Sequence, residues 1–202
     1  MSILLLQDKS FLLSSRIGII VLCFSLIWIS ACSTTAKKSG YTSSKYNKAR
    51  TLMENGQYKE AIPLLQAINE SKPKLAEPYV NLGIALRKNE KFDDALIALE
   101  TAVKLDSKAA ATHHQLGILY REMGMFDESL SAYKKSLKLD HDYALAHRNI
   151  GILYDLYLQL PGQALNHYKK YLQLTSEPDK QVNNWIIDLE RRTGSNRVKV
   201  SQ

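Results

Sequence analysis

The chain has 202 residues, 45% hydrophobic and 23% charged, which is the composition of ordinary globular protein and excludes wholesale disorder. Nine Gly and five Pro exclude collagen-like and proline-rich architectures, and two Cys can build neither a disulfide scaffold nor a four-thiolate zinc site. The formal net charge of +7 is a moderate excess of base, far from a histone-like chain.

The first 16 residues hold the only early basic groups, Lys9 and Arg16, and are followed by an uncharged stretch, Ile17 to Ala31, dominated by Ile, Leu, Val, Phe and Trp. That pattern predicts an export signal over residues 1–31. As a helix the apolar stretch covers roughly 22 Å, short of the roughly 30 Å of hydrocarbon that a permanent span must cross. It ends Ile29-Ser30-Ala31-Cys32, an aliphatic residue and two small ones before a Cys. This resembles the lipobox of bacterial lipoproteins, with Ile29 standing where Leu is commoner. The resemblance implies a diacylglyceryl thioether on Cys32, cleavage between Ala31 and Cys32, and acylation of the new amino terminus. Several acyl chains anchor a protein stably where one does not. Ser33 follows the Cys, whereas the enterobacterial signal for inner-membrane retention is Asp, so the resemblance implies the outer membrane. Residues 32–44 read as a flexible tether, Ser33 to Ser44 reaching roughly 20 Å.

From residue 42 onward the sequence repeats every 34 residues. Ala49, Gly83, Gly117 and Gly151 form a column of small residues, with Leu52, Leu86, Tyr120 and Tyr154 three places later. Tyr58, Phe92, Phe126 and Leu160 form another, followed by Ala61, Ala95 and Ser129, with Ala164 one residue late because of an insertion between Tyr154 and Ala164. Small residues such as Gly83 and Ala95 let two antiparallel helices approach, and large ones such as Leu82, Leu86, Phe92 and Leu99 fill the space around them. Asn55-Gly56 and Met123-Gly124 mark turns within repeats; Ser71-Lys72-Pro73, Asp106-Ser107 and Asp140-His141 mark turns between them. Pro63 is expected near the first turn of its helix, where a missing N–H costs least.

The columns, with Asn-Leu-Gly-Ile-Ala-Leu at 81–86 and Gln-Leu-Gly-Ile-Leu-Tyr at 115–120, resemble tetratricopeptide repeats over residues 42–177. The resemblance implies an all-α chain, a right-handed superhelix of four helix-turn-helix repeats at 42–75, 76–109, 110–143 and 144–177. Residues 179–192 read as a capping helix. Pro178 and Asp179 start it, and Val182, Trp185, Ile186 and Leu189 share one face, with Trp185 covering the last repeat. The repeat domain is thus expected over 45–192, with a disordered tail at 193–202.

No Gly-rich phosphate loop, zincin motif or nucleophile elbow occurs, so no catalytic residue and no cofactor is expected. His113 and His114 are adjacent, but Tyr79, His113 and His147 share a column that the family fills with bulky aromatics. Residues one repeat apart do not converge as ligands, so no metal site is expected. The aromatics belong to packing columns and the export signal leads away from DNA, which excludes a nucleic-acid partner.

In tetratricopeptide arrays the first helix of each pair lines a concave face that receives peptides or partner segments. By that resemblance the face holds Tyr46, Asn47, Arg50, Val80, Asn81, Ile84, Arg87, His114, Gln115, Ile118, Arg121, Arg148, Asn149, Ile152 and Asp155. Asn47, Asn81, Gln115 and Asn149 form an amide column, similar to the ladder with which some members hold an extended peptide backbone; the same amides could instead bond a neighbouring repeat. The expected function is an adaptor: a lipid-anchored scaffold in the periplasm that binds a protein partner and helps assemble an envelope complex, as lipoproteins with this layout do for pilus secretins or outer-membrane assembly machines. Two other readings stand beside it, an inner-membrane signal-anchored array near an energy-transducing or division complex, and an envelope enzyme or glycan-binding protein.

Overall fold

The computed structural model describes the backbone of residues 40–200 and the side chains of residues 44–194. The expected signal segment, Cys32 and most of the expected tether lie outside the described residues. Helices follow one another as α1 (Gly40–Glu54), α2 (Tyr58–Ser71), α3 (Ala76–Lys88), α4 (Phe92–Leu105), α5 (Ala110–Glu122), α6 (Phe126–Leu139), α7 (Ala144–Ile152), α8 (Pro161–Leu174) and α9 (Lys180–Val200). Among the described residues there is no strand, and no helix is long and apolar enough to cross a membrane. Helix α3 pairs with α4, α5 with α6 and α7 with α8, and α9 packs on α8.

Contact between paired helices is set by the small column. A Cβ on Gly83 would lie 2.6 Å from the Leu99 side chain, and one on Gly151 would lie 2.5 Å from the Tyr168 ring; at Gly117 it would overlap the ring of Tyr133. Leu65, Leu99, Tyr133 and Tyr168 are fully buried, so they cannot move aside. Ala61, Ala95, Ser129 and Ala164 are fully buried beside them, and the Ser129 hydroxyl donates to the Gly117 carbonyl at 2.7 Å.

The turn inside each of the first three repeats is a Schellman motif. Lys91 N–H donates to the Leu86 carbonyl and Glu90 N–H to that of Arg87, with the same pattern at Gln57 and Gly56 and at Met125 and Gly124. The residue that must adopt positive φ is Gly56, Glu90 or Gly124. In the fourth repeat the inserted residue widens the end of α7 into a π-turn, Leu153–Tyr157, closed by Leu158 N–H to the Leu153 carbonyl at 3.0 Å. Gln159 then takes the positive φ.

Pro63 stands just past the first turn of α2, where it removes the N–H that would donate to the Lys59 carbonyl. Two expectations need correction. The end of the expected tether, residues 40–44, belongs to α1, which is helical from Gly40, because extending an existing helix adds a hydrogen bond for each residue fixed. The backbone also stays helical past Arg192 to Val200. Asp179 caps α9 as expected, accepting from Val182 N–H at 3.0 Å, and Trp185 packs on Tyr168 with ring centroids 5.3 Å apart.

Gly117→Leu is expected to lower stability by about 1–3 kcal/mol through overpacking, read as a lower urea midpoint and reduced helicity. Glu90→Gly should raise stability by up to about 1 kcal/mol, since glycine adopts the required positive φ without a Cβ penalty.

Candidate functional site

The first helices α1, α3, α5 and α7 line up along one side of the array, with α3 touching α5 and α5 touching α7. Hydrogen bonds and ion pairs tie them at a recurrent offset of 35 residues, which becomes 36 at Tyr157 in the π-turn. The Asn81 amide donates to the Tyr46 hydroxyl at 2.5 Å, and the Asn149 amide to His114 Nε2 at 2.7 Å. Arg87 pairs with Glu122 at 2.6 Å, and Arg121 reaches the Tyr157 hydroxyl at 3.4 Å, its guanidinium 5.8 Å from the Tyr157 ring. At the end of the array Arg192 of the cap pairs with Asp155 at 2.9 Å.

These ties remove several of the expected groove residues from the open surface. Arg87 is 7% exposed and His114 only 2%, so both serve the contact between repeats. Asp155 is spent on Arg192, and Asn81 and Asn149 are spent on their neighbours. Of the amide column that leaves Asn47, which is exposed, and Gln115, which is half-buried. Gln115 finds no partner at the preceding position because Val80 stands where Tyr46 and His114 stand in the other two ties. Arg50 is exposed and pairs with Glu54 of its own helix at 3.5 Å.

The open part of this side is an apolar row with basic margins. Ile84, Ile118 and Ile152, one repeat apart, are half-buried, as is Val80. Arg121 and Arg148 flank the row; Arg148 stacks over Trp185 at 5.4 Å and has Asp179 3.9 Å away. The π-turn extends the surface with Leu156, 67% exposed, and Tyr157, 40% exposed. Sequence reasoning did not find Glu122, Tyr157 or Arg192, although the pairing offset of Arg87 with Glu122 was present in the spacing.

Burial pushes the His114 imidazole down to about 4, and the charge of Arg87 acts in the same direction. Burial likewise raises the Tyr46 phenol, assisted by Glu77, and raises that of Tyr133 against the opposing influence of Arg121.

A tetratricopeptide repeat model matches residues 42–75, and a second matches 75–140 and 108–177. The chain belongs to the tetratricopeptide-repeat proteins. This is a family of generally non-enzymatic scaffolds for protein–protein interaction. Among solved structures the chain is similar to MamA, with 27% identity, a TM-score of 0.59, and coverage of 66% of this chain and 77% of that one. It is also similar to YrrB, described as a TPR protein with an unusual peptide-binding site, with 26% identity, a TM-score of 0.58, and coverage of 72% and 73%. PilF of Pseudomonas aeruginosa shares the fold at 18% identity, with a TM-score of 0.69 and coverage of 76% and 69%. No curated protein matches the sequence.

Because His114 is neutral when folded and protonates near 6.5 when unfolded, its contribution to stability is complete above that value and is lost as pH falls toward about 4. The urea midpoint of this tetratricopeptide array should therefore fall between pH 7 and pH 5. In His114→Asn that fall should be smaller.

Proposed function

We propose that the chain is a lipid-anchored scaffold: Cys32 carries the anchor, the outer membrane holds it, and the repeats face the periplasm, where they bind a protein partner of an envelope complex. The lipobox and Ser33 support the anchor and its location. The observation that carries the binding role is the half-buried row of Ile84, Ile118 and Ile152 between Arg121 and Arg148, on the side where the first helices meet. An apolar centre with a charged margin is the general anatomy of a recognition surface. YrrB, which is similar in sequence and fold, is described as having a peptide-binding site. An extended segment along the row buries its apolar side chains on the isoleucines and meets Gln115 with its backbone. Acidic groups on it face Arg121 and Arg148.

Labelled palmitate should enter the unaltered chain and be absent from Cys32→Ser. A photocrosslinking residue in place of Ile118 should capture a discrete protein in membranes, whereas the same residue in place of Ile97, which is 65% exposed on α4, should not. Equal capture at both places would move the binding surface away from the first helices.

A further inference from the structure

His113 and His147 sit one repeat apart and cannot share an ion, but His147 has a second histidine as neighbour, contributed by the other helix of its own repeat. His167 on α8 faces His147 on α7 with their Nδ1 atoms 3.0 Å apart and ring centroids 5.1 Å apart. The architecture does not demand this pair. Allowing for the inserted residue, His167 occupies the place of Ala98 and Ala132, and His147 that of Tyr79 and His113.

The hydrogen bonding fixes which nitrogen is free. His147 Nε2 lies 3.2 Å from the backbone carbonyl of His141, just as His113 Nε2 lies 3.1 Å from that of Ser107. A carbonyl only accepts, so Nε2 carries the hydrogen and Nδ1 of the neutral ring presents a bare lone pair toward His167. Metal-ligating histidines are held in the same way, with the other ring N–H donated to a carbonyl or carboxylate.

We propose that His147 and His167 form a two-imidazole site for a divalent transition-metal cation of the copper or nickel type, bound through both Nδ1 atoms. With metal–nitrogen bonds of about 2.0–2.1 Å, two nitrogens at this separation subtend roughly 95° at the metal. That angle suits neighbouring positions of a square-planar or tetragonal shell, the preference of copper(II) and nickel(II), better than a tetrahedral one. In the hydrogen-bonded pair His167 Nδ1–H donates to His147 Nδ1. When the cation enters, that proton moves to His167 Nε2, so both rings stay neutral, and the rings turn so that both Nδ1 lone pairs converge on the metal to one side of the N···N line.

The surroundings support and limit the site. Lys134 beside His167 and Lys170 beside His147 oppose a cation, Asp142 favours one, and Tyr154 packs on the His167 ring at 5.7 Å. Among the described residues no three His, Cys, Asp or Glu side chains converge, so water completes the shell. The exposed His141, whose ring lies 6.3 Å from that of His147, is a further nearby donor.

The test is titration of copper(II) into the full chain, followed by calorimetry and electron paramagnetic resonance. One equivalent should bind with two nitrogens in the equatorial plane. His167→Ala restores the residue of the equivalent positions and is expected to weaken binding by more than roughly tenfold, with circular dichroism retained. His147→Tyr, which restores the residue at position 79, should do the same, while His113→Tyr should leave binding unchanged. No stoichiometric copper on the unaltered chain would overturn the assignment, as would unchanged affinity in a folded His167→Ala or His147→Tyr chain.

Discussion

The array depends on how closely two helices of a repeat can approach. Glycine at positions 83, 117 and 151 removes the one atom that would collide with Leu99, Tyr133 and Tyr168, and those large side chains fill the gap completely. Close packing makes this contact sensitive to a single methyl group, because a buried ring enclosed on all sides has nowhere to go. Every later feature follows from it. Helix pairs of fixed separation can stack in register, and stacking brings the first helices side by side.

Once they are side by side, their polar residues meet each other before they meet a partner. Arg87 with Glu122, Asn81 with Tyr46, Asn149 with His114 and Asp155 with Arg192 all bridge consecutive units. A buried polar group without a partner costs free energy, so such ties are the expected fate of polar residues at a helix contact. What remains open is defined by subtraction: the isoleucine row and Gln115, with the half-buried Arg121 and Arg148 held beside the row by Tyr157 and by Trp185 and Asp179. Val80 gives the Gln115 amide N–H no acceptor at the place where Tyr46 and His114 serve Asn81 and Asn149, and the Gln115 oxygen is buried without a partner.

The fourth repeat departs from the others in two ways, and both follow from local sequence. Its inserted residue is absorbed as a π-turn, which keeps Tyr168 against Gly151 while displacing Leu156 and Tyr157 toward solvent. A one-residue insertion in a helix can be accommodated this way without shifting the packing column beyond it. The same repeat replaces an alanine by His167 and so creates a contact between imidazoles that earlier repeats lack. Repetition provides the frame, and the departures from it carry the individuality of this chain.

The sequence by itself determined the all-α class, the repeat phase, the turns at Gly56 and Gly124, the cap at Asp179, and the cores built on Gly83, Gly117 and Gly151. All of these rest on short-range rules: helical periodicity, the φ preference of glycine, and the volume of side chains recurring at a fixed interval. Of the fifteen residues assigned to the concave face, Ile84, Ile118, Ile152, Arg121 and Arg148 flank or form the open row, whereas Arg87, His114 and Asp155 are consumed inside it. Only the tertiary structure decided between these fates. A residue's column says which way it points from its own helix, but not whether the adjacent helix presents a group that can satisfy it. The pairing of His147 with His167 was hidden for the same reason, because it joins two helices of one repeat across a spacing that no periodicity marks.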